Sequence, residues 1–116
     1  MTDDLQALPK SLRQKHRYLV VDIICDRDRE LGQVVDTVWD AILDFLGQEG
    51  AATADPWVME DLFDAEQQRF AVKVKKDRVE AVRAALALVQ EIGGEDATLQ
   101  VLGVTGTMDS AREKYF

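Results

Sequence analysis

The stretch RYLVVDIIC, residues 17–25, limits the folds open to this chain more than any other segment. It is rich in β-branched and aromatic residues, lies between charged clusters, and reads as a β-strand. Alternation puts Leu19, Val21 and Ile23 on one face, and Tyr18, Val20 and Ile24 with Asp22 on the other. A strand that is apolar on both sides belongs at the centre of a sheet, with its second face at least partly covered, because leaving a large aliphatic side chain in water forfeits about 1.5–3 kcal/mol.

Downstream the hydrophobic period changes. Leu31, Val34, Val35, Val38, Trp39, Ile42, Leu43 and Leu46 recur at spacings of three and four, which predicts an amphipathic helix over residues 28–46. Asp28 is the expected N-cap and Gly47 the left-handed stop. GQEGAATADP, residues 47–56, reads as a loop, and residues 57–63 and 69–75 as two strands joined by the short polar segment 64–68. Asp77 and Glu80 suit the start of a second helix, whose face Val79, Val82, Leu86, Val89 and Ile92 runs to Gly93 and Gly94. Residues 98–104 read as a last strand, Gly103 and Gly106 as breaks in the chain, and 108–116 as a short final helix.

The order strand, helix, strand, strand, helix, strand predicts an α+β fold, a ferredoxin-like βαββαβ sandwich. It has a four-stranded antiparallel sheet, two helices on one face, and a short C-terminal helix. Residues 1–116 are one domain, since 116 residues hold one core and not two. Right-handed crossovers would set the first and third strands side by side at the centre. Tyr18, Val20 and Asp22, with Ala71, Lys73 and Lys75, would then face away from the helices.

Few residues are suited to catalysis. One cysteine, Cys25, excludes an internal disulfide and a cysteine-built zinc site, and one histidine, His16, leaves no histidine pair for a metal. Ser11, Ser110, Cys25 and His16 do not assemble into a nucleophile with its base, and Cys25 is expected as a buried small hydrophobe. Asp36, Asp40 and Asp44 recur every four residues and read as a solvated helix face. LGVTGT, residues 102–107, lacks the Gly-Lys-Ser/Thr ending of a phosphate loop and reads as a turn. No catalytic or metal-binding residue is therefore assigned. No run reaches the roughly 18 apolar residues of a membrane span. Met1 to Asp4 are acidic where a secretory leader would be basic, so a cytoplasmic protein is expected.

Charge is more informative by segment than in total. The net charge of −8 argues against a nonspecific nucleic-acid binder. Residues 10–17 nevertheless carry Lys10, Arg13, Lys15 and Arg17 with no acid, and residues 69–83 carry six cations against Asp77 and Glu80. Residues 18–68 hold thirteen acids against two arginines. If folding joins the two basic segments, the molecule has one basic side. Within RFAVKV, residues 69–74, Phe70 points with Val72 and Val74 toward the helices, so RNA on that strand would be held by phosphate contacts and not by base stacking. These residues alone leave open a ferredoxin-like regulatory domain in which residues 47–56 and LGVTGT frame a small molecule at a dimer interface. A stand-alone nuclease is a third reading, further off.

Three segments together resemble one family: LPKSLRQKHRYL at 8–19, VVDTVWDAILDFLGQEGAATADPWV at 34–58, and ALALVQEIGG through LQVLGVTGT at 85–107. The family is the archaeal ribonuclease P protein component two, counterpart of a eukaryotic subunit shared by ribonucleases P and MRP. The resemblance implies a ferredoxin-like protein subunit of the ribonucleoprotein that removes the 5′ leader from precursor tRNA. Hydrolysis would be performed by the RNA subunit with its bound magnesium, and no cofactor held by this chain. Implied partners are the ribonuclease P RNA, a TIM-barrel-like protein subunit, and a second copy of the heterodimer in a heterotetramer, with precursor tRNA as substrate of the complex and no membrane. On that basis Lys10, Arg13, Lys15, His16 and Arg17 are the first expected RNA contacts, followed by Lys73, Lys75, Lys76 and Arg78, then Arg112 and Lys114.

Overall fold

The computed structural model describes residues 15–116. Its elements are β1 (His16–Cys25), α1 (Leu31–Ala54), β2 (Trp57–Val58), a 3-10 turn (Glu60–Leu62), β3 (Arg69–Lys75), a second 3-10 turn (Lys76–Arg78), α2 (Val79–Ala87), β4 (Glu91–Ile92), β5 (Glu95–Thr105) and α3 (Met108–Tyr115). The strands form one antiparallel sheet in the order β2-β3-β1-β5-β4. β1 is central, as its two apolar faces require, and β3 is its neighbour.

Alternation along β1 divides the core in two. Leu19, Val21 and Ile23 join Phe70, Val72 and Val74 of β3 and Ala97 and Leu99 of β5 beneath α1 and α2, which contribute Val34, Val38, Ile42, Val82, Ala85 and Leu86. Phe70 is fully buried there, on the helix side. On the opposite face Val20 and Ala71 meet Leu62 and Ala111, with Met59, Leu102, Met108, Tyr115 and Phe116 around them. The C-terminal helix is therefore the cover that the second apolar face demanded. It is fastened by Arg69, whose Nε donates to Asp22 Oδ1 at 2.6 Å and whose Nη1 donates to the Tyr115 carbonyl. The hydrogen bond to Asp22 is the main reason that the Arg69 pKa is raised.

The expected four-stranded sheet is corrected to five strands. The second helix stops at Ala87, and residues after it turn back to pair Glu91 with Asp96 and Ile92 with Glu95. Gly93 (φ 60) and Gly94 (φ 84) both have positive φ. This is a two-residue hairpin turn of the kind that Gly-Gly favours, and not a helix terminator. Val89 and Ile92 pack into the helix-side core all the same, which is why their spacing resembles a helical stripe.

Other boundaries differ as well. The N-cap of α1 is Glu30, in a capping box with Gln33, and not Asp28. Gly47 (φ 75, ψ 174) does break the helix, but a further helical piece follows it to Ala54 and buries Ala51 and Ala54. Residues 47–56 are thus mostly helical and not a loop. The strand expected over 57–63 is only Trp57–Val58, followed by the 3-10 turn. Arg78, without a side-chain cap bond, stands at the N-cap of α2 in place of an Asp77–Glu80 box. Cys25 is half-buried against the main core.

Candidate nucleic-acid interface

Antiparallel pairing of β1 with β3 runs from His16 opposite Lys75, through Tyr18 opposite Lys73, to Asp22 opposite Arg69. The backbone N–H of Lys76 donates to the Lys15 carbonyl at 2.7 Å and extends the pairing one step further. The start of β1 and the end of β3, each basic and far apart in the chain, therefore share one end of the sheet. Among the described residues, Lys15, Lys73, Lys75 and Lys76 have no carboxylate within 4.0 Å, whereas Arg27 and Arg29 are paired with Glu95, Arg69 with Asp22 and Arg83 with Glu80. The lysines leave positive charge uncompensated. Of the paired arginines, Arg29 and Arg69 tie together segments far apart in the chain.

His16 lies inside this charge. Its pKa is lowered, first by burial, then by Lys73 and Lys75, with Lys15 adding a little and Asp55 acting in the opposite sense. Arg17 is out of phase with His16 by one residue and so falls on the helix-side face; its Nη1 donates to the His16 carbonyl at 2.9 Å. Arg78 is exposed at the start of α2, directly after Lys76 and Asp77. Arg112 and Lys114 are exposed on α3, and Arg112 lines a depression with Asp61, Asp64, Glu66 and Phe116. Lys10 and Arg13 lie outside the described residues.

The same end of the sheet holds two aromatic side chains. Trp57 on β2 is paired with Lys73, which is paired with Tyr18. Trp57 is 60% exposed, and its Nε1 donates to Asp55 Oδ1 at 3.2 Å. The pattern of residues 69–74 cannot reveal this pair, because both rings come from neighbouring strands. Only the cross-strand register brings them beside a lysine.

No catalytic constellation forms among the described residues. His16 and Cys25 stand at opposite ends of β1, about 30 Å apart at the usual rise per residue. Asp36, Asp40 and Asp44 are exposed on α1, and no group of three metal-ligating side chains occurs among the described residues. LGVTGT is the end of β5 and the turn into α3, where Thr107 accepts a hydrogen bond from the Ser110 N–H at 3.1 Å as N-cap. No helix of the described residues is long and apolar enough to cross a membrane.

A family model described as the Rpp14/Pop5 family matches residues 17–116. Proteins named ribonuclease P protein component 2 are similar over nearly the whole chain. The one from Thermococcus gammatolerans is 38% identical, covering 99% of this chain and 94% of that protein. The Pyrococcus horikoshii protein is 35% identical with the same coverage, and the Methanocaldococcus jannaschii protein 31% identical over 99% of this chain and 83% of its own. Among solved structures, a chain in the cryo-EM structure of yeast ribonuclease MRP has the same fold, with a TM-score of 0.62 at 10% identity, covering 81% of this chain and 76% of that one.

Proposed function

The chain belongs to the Rpp14/Pop5 family, and from that premise we propose that it is a protein subunit of ribonuclease P, the ribonucleoprotein that removes the 5′ leader from precursor tRNA. It acts in an endoribonuclease whose chemistry is carried by the RNA subunit and its magnesium. The role of this chain is to hold the catalytic RNA by phosphate contacts and to dock a protein partner. The observation that carries this reading is the β1–β3 register, which gathers Lys15, Lys73, Lys75 and Lys76 at one sheet end with no carboxylate within 4.0 Å among the described residues. Cations placed this way offset repulsion between phosphates that a compact RNA brings together. Lys10, Arg13, Arg17 and Arg78 extend the contact, with Arg112 and Lys114 at its margin.

The finer fold assignment is a single ferredoxin-like domain in which β1, α1, β2, β3, α2 and β5 supply the βαββαβ order and β4 is an added edge strand. The protein partner is a TIM-barrel-like subunit, two such heterodimers associate, and the particle works in the cytoplasm. Docking falls on the helix layer, where Phe45 and Leu88 are exposed beside Asp40, Asp44 and Glu91. A groove that offers Phe45 and Leu88 between carboxylates repels RNA and suits a protein surface that carries cations.

Changing Lys15, Lys73, Lys75 and Lys76 together to alanine tests the RNA contact through its salt dependence. For every phosphate that a lysine no longer neutralises, the slope of log affinity against log salt becomes shallower by about 0.7–0.9. Replacing partly or fully exposed lysines leaves the fold in place. An unchanged slope in the folded variant would remove this sheet end from the interface.

A further inference from the structure

Trp57, Lys73 and Tyr18 form one row across β2, β3 and β1. Paired residues on neighbouring strands project from the same face, and strands lie about 4.8 Å apart, so the two rings flank the lysine stem across about 10 Å. The next row toward the sheet end is His16 beside Lys75. The row on the other side is Val20 beside Ala71, which belongs to the apolar cluster under α3. Aromatic surface therefore adjoins uncompensated lysines at the place where the cover provided by α3 gives way to charge.

From this arrangement we infer that the row is a stacking platform for unpaired RNA nucleotides, with bases on Trp57 and Tyr18 and their phosphates on Lys73 and Lys75. The inference rests on the reading of the chain as an RNA-binding subunit and specifies which form of RNA this face takes. A duplex keeps its base faces stacked inside and offers only phosphates and groove edges, whereas a single strand offers faces to aromatic rings. The Asp55 carboxylate holds the indole N–H, so Trp57 loses little freedom when a base stacks on it. The same carboxylate repels phosphate at the β2 edge and directs the RNA backbone toward Lys73 and Lys75.

The test uses the full chain with Trp39 changed to Phe, so that of its two tryptophans only Trp57 fluoresces. Titration with oligouridylate is expected to quench Trp57, while a duplex RNA of equal length binds with little quenching. Trp57→Ala is expected to weaken oligouridylate binding about 5- to 100-fold with its salt slope unchanged, whereas Lys73→Ala lowers the slope. Trp57→Leu keeps apolar bulk without a ring face and is expected to bind as weakly as the alanine variant, while Trp57→Phe recovers part of the affinity. Full affinity in Trp57→Ala, or equal quenching by duplex and single strand, overturns the platform; if binding then remains salt-dependent, the RNA-subunit reading stands without it. Failure of the unaltered chain to bind either RNA sinks both.

Discussion

His16 is the residue at which folding and the proposed RNA contact meet. Burial, Lys73 and Lys75 all disfavour its imidazolium form, and among the groups acting on it only Asp55 favours the charge. The unfolded chain therefore takes up this proton more readily than the native one. Its contribution to stability rises as pH increases through the ordinary imidazole range and falls as pH drops below it. In the proposed contact, RNA phosphates beside the same ring would reverse the balance, because they favour the cation. Binding then takes up a proton, and RNA affinity increases from about pH 7.5 to about pH 5.5. Titrations at fixed ionic strength should show this rise in the unaltered chain and a flatter profile in His16→Gln. A flat profile in both would separate His16 from the RNA.

At the scale of elements, the C-terminal helix depends on one close approach. A Cβ on Gly103 would lie 2.7 Å from the Tyr115 Cζ and would overlap its hydroxyl, and these atoms belong to the residue whose carbonyl Arg69 holds. Gly103→Ala should lift α3 from the sheet and cost about 1–3 kcal/mol of stability in urea unfolding, with Tyr115→Phe restoring part of the loss. The positions of β1, β3 and the core of α1 are legible in the sequence because each is long, periodic and buried on a defined face. Glycine is the ambiguous letter: Gly103 reads as a chain break and is a point of close packing, and Gly93 with Gly94 reads as a helix stop and is a hairpin. Helix and strand periods cannot be told apart over a piece as short as Glu91–Ile92. The lysines at the sheet end are legible as charge, but the Trp57–Lys73–Tyr18 row is not. Two strands joined by residues 64–68 are legible, but the register that sets Trp57 against Lys73 is not, because β2 is only Trp57–Val58 and a 3-10 turn takes up the residues after it.

The whole molecule is polar in charge despite its net −8. Uncompensated lysines collect at one sheet end, and exposed carboxylates of α1 line the helix layer with Phe45 and Leu88 between them. On the proposed docking, Phe45→Glu with Leu88→Glu should weaken pairing with a barrel-like subunit in a co-purification or calorimetric assay while leaving the salt slope for RNA intact; loss of both would deny the separation of the two surfaces. A chain that assists a catalytic centre made of RNA is tested by leader removal from precursor tRNA in the reconstituted particle across a magnesium titration. Adding the chain with the proposed barrel-like partner should move half-maximal processing to lower magnesium, and changing Lys15, Lys73, Lys75 and Lys76 to alanine should move it back. Leader removal by the purified chain without the RNA subunit, or a magnesium requirement indifferent to the chain, would contradict that role.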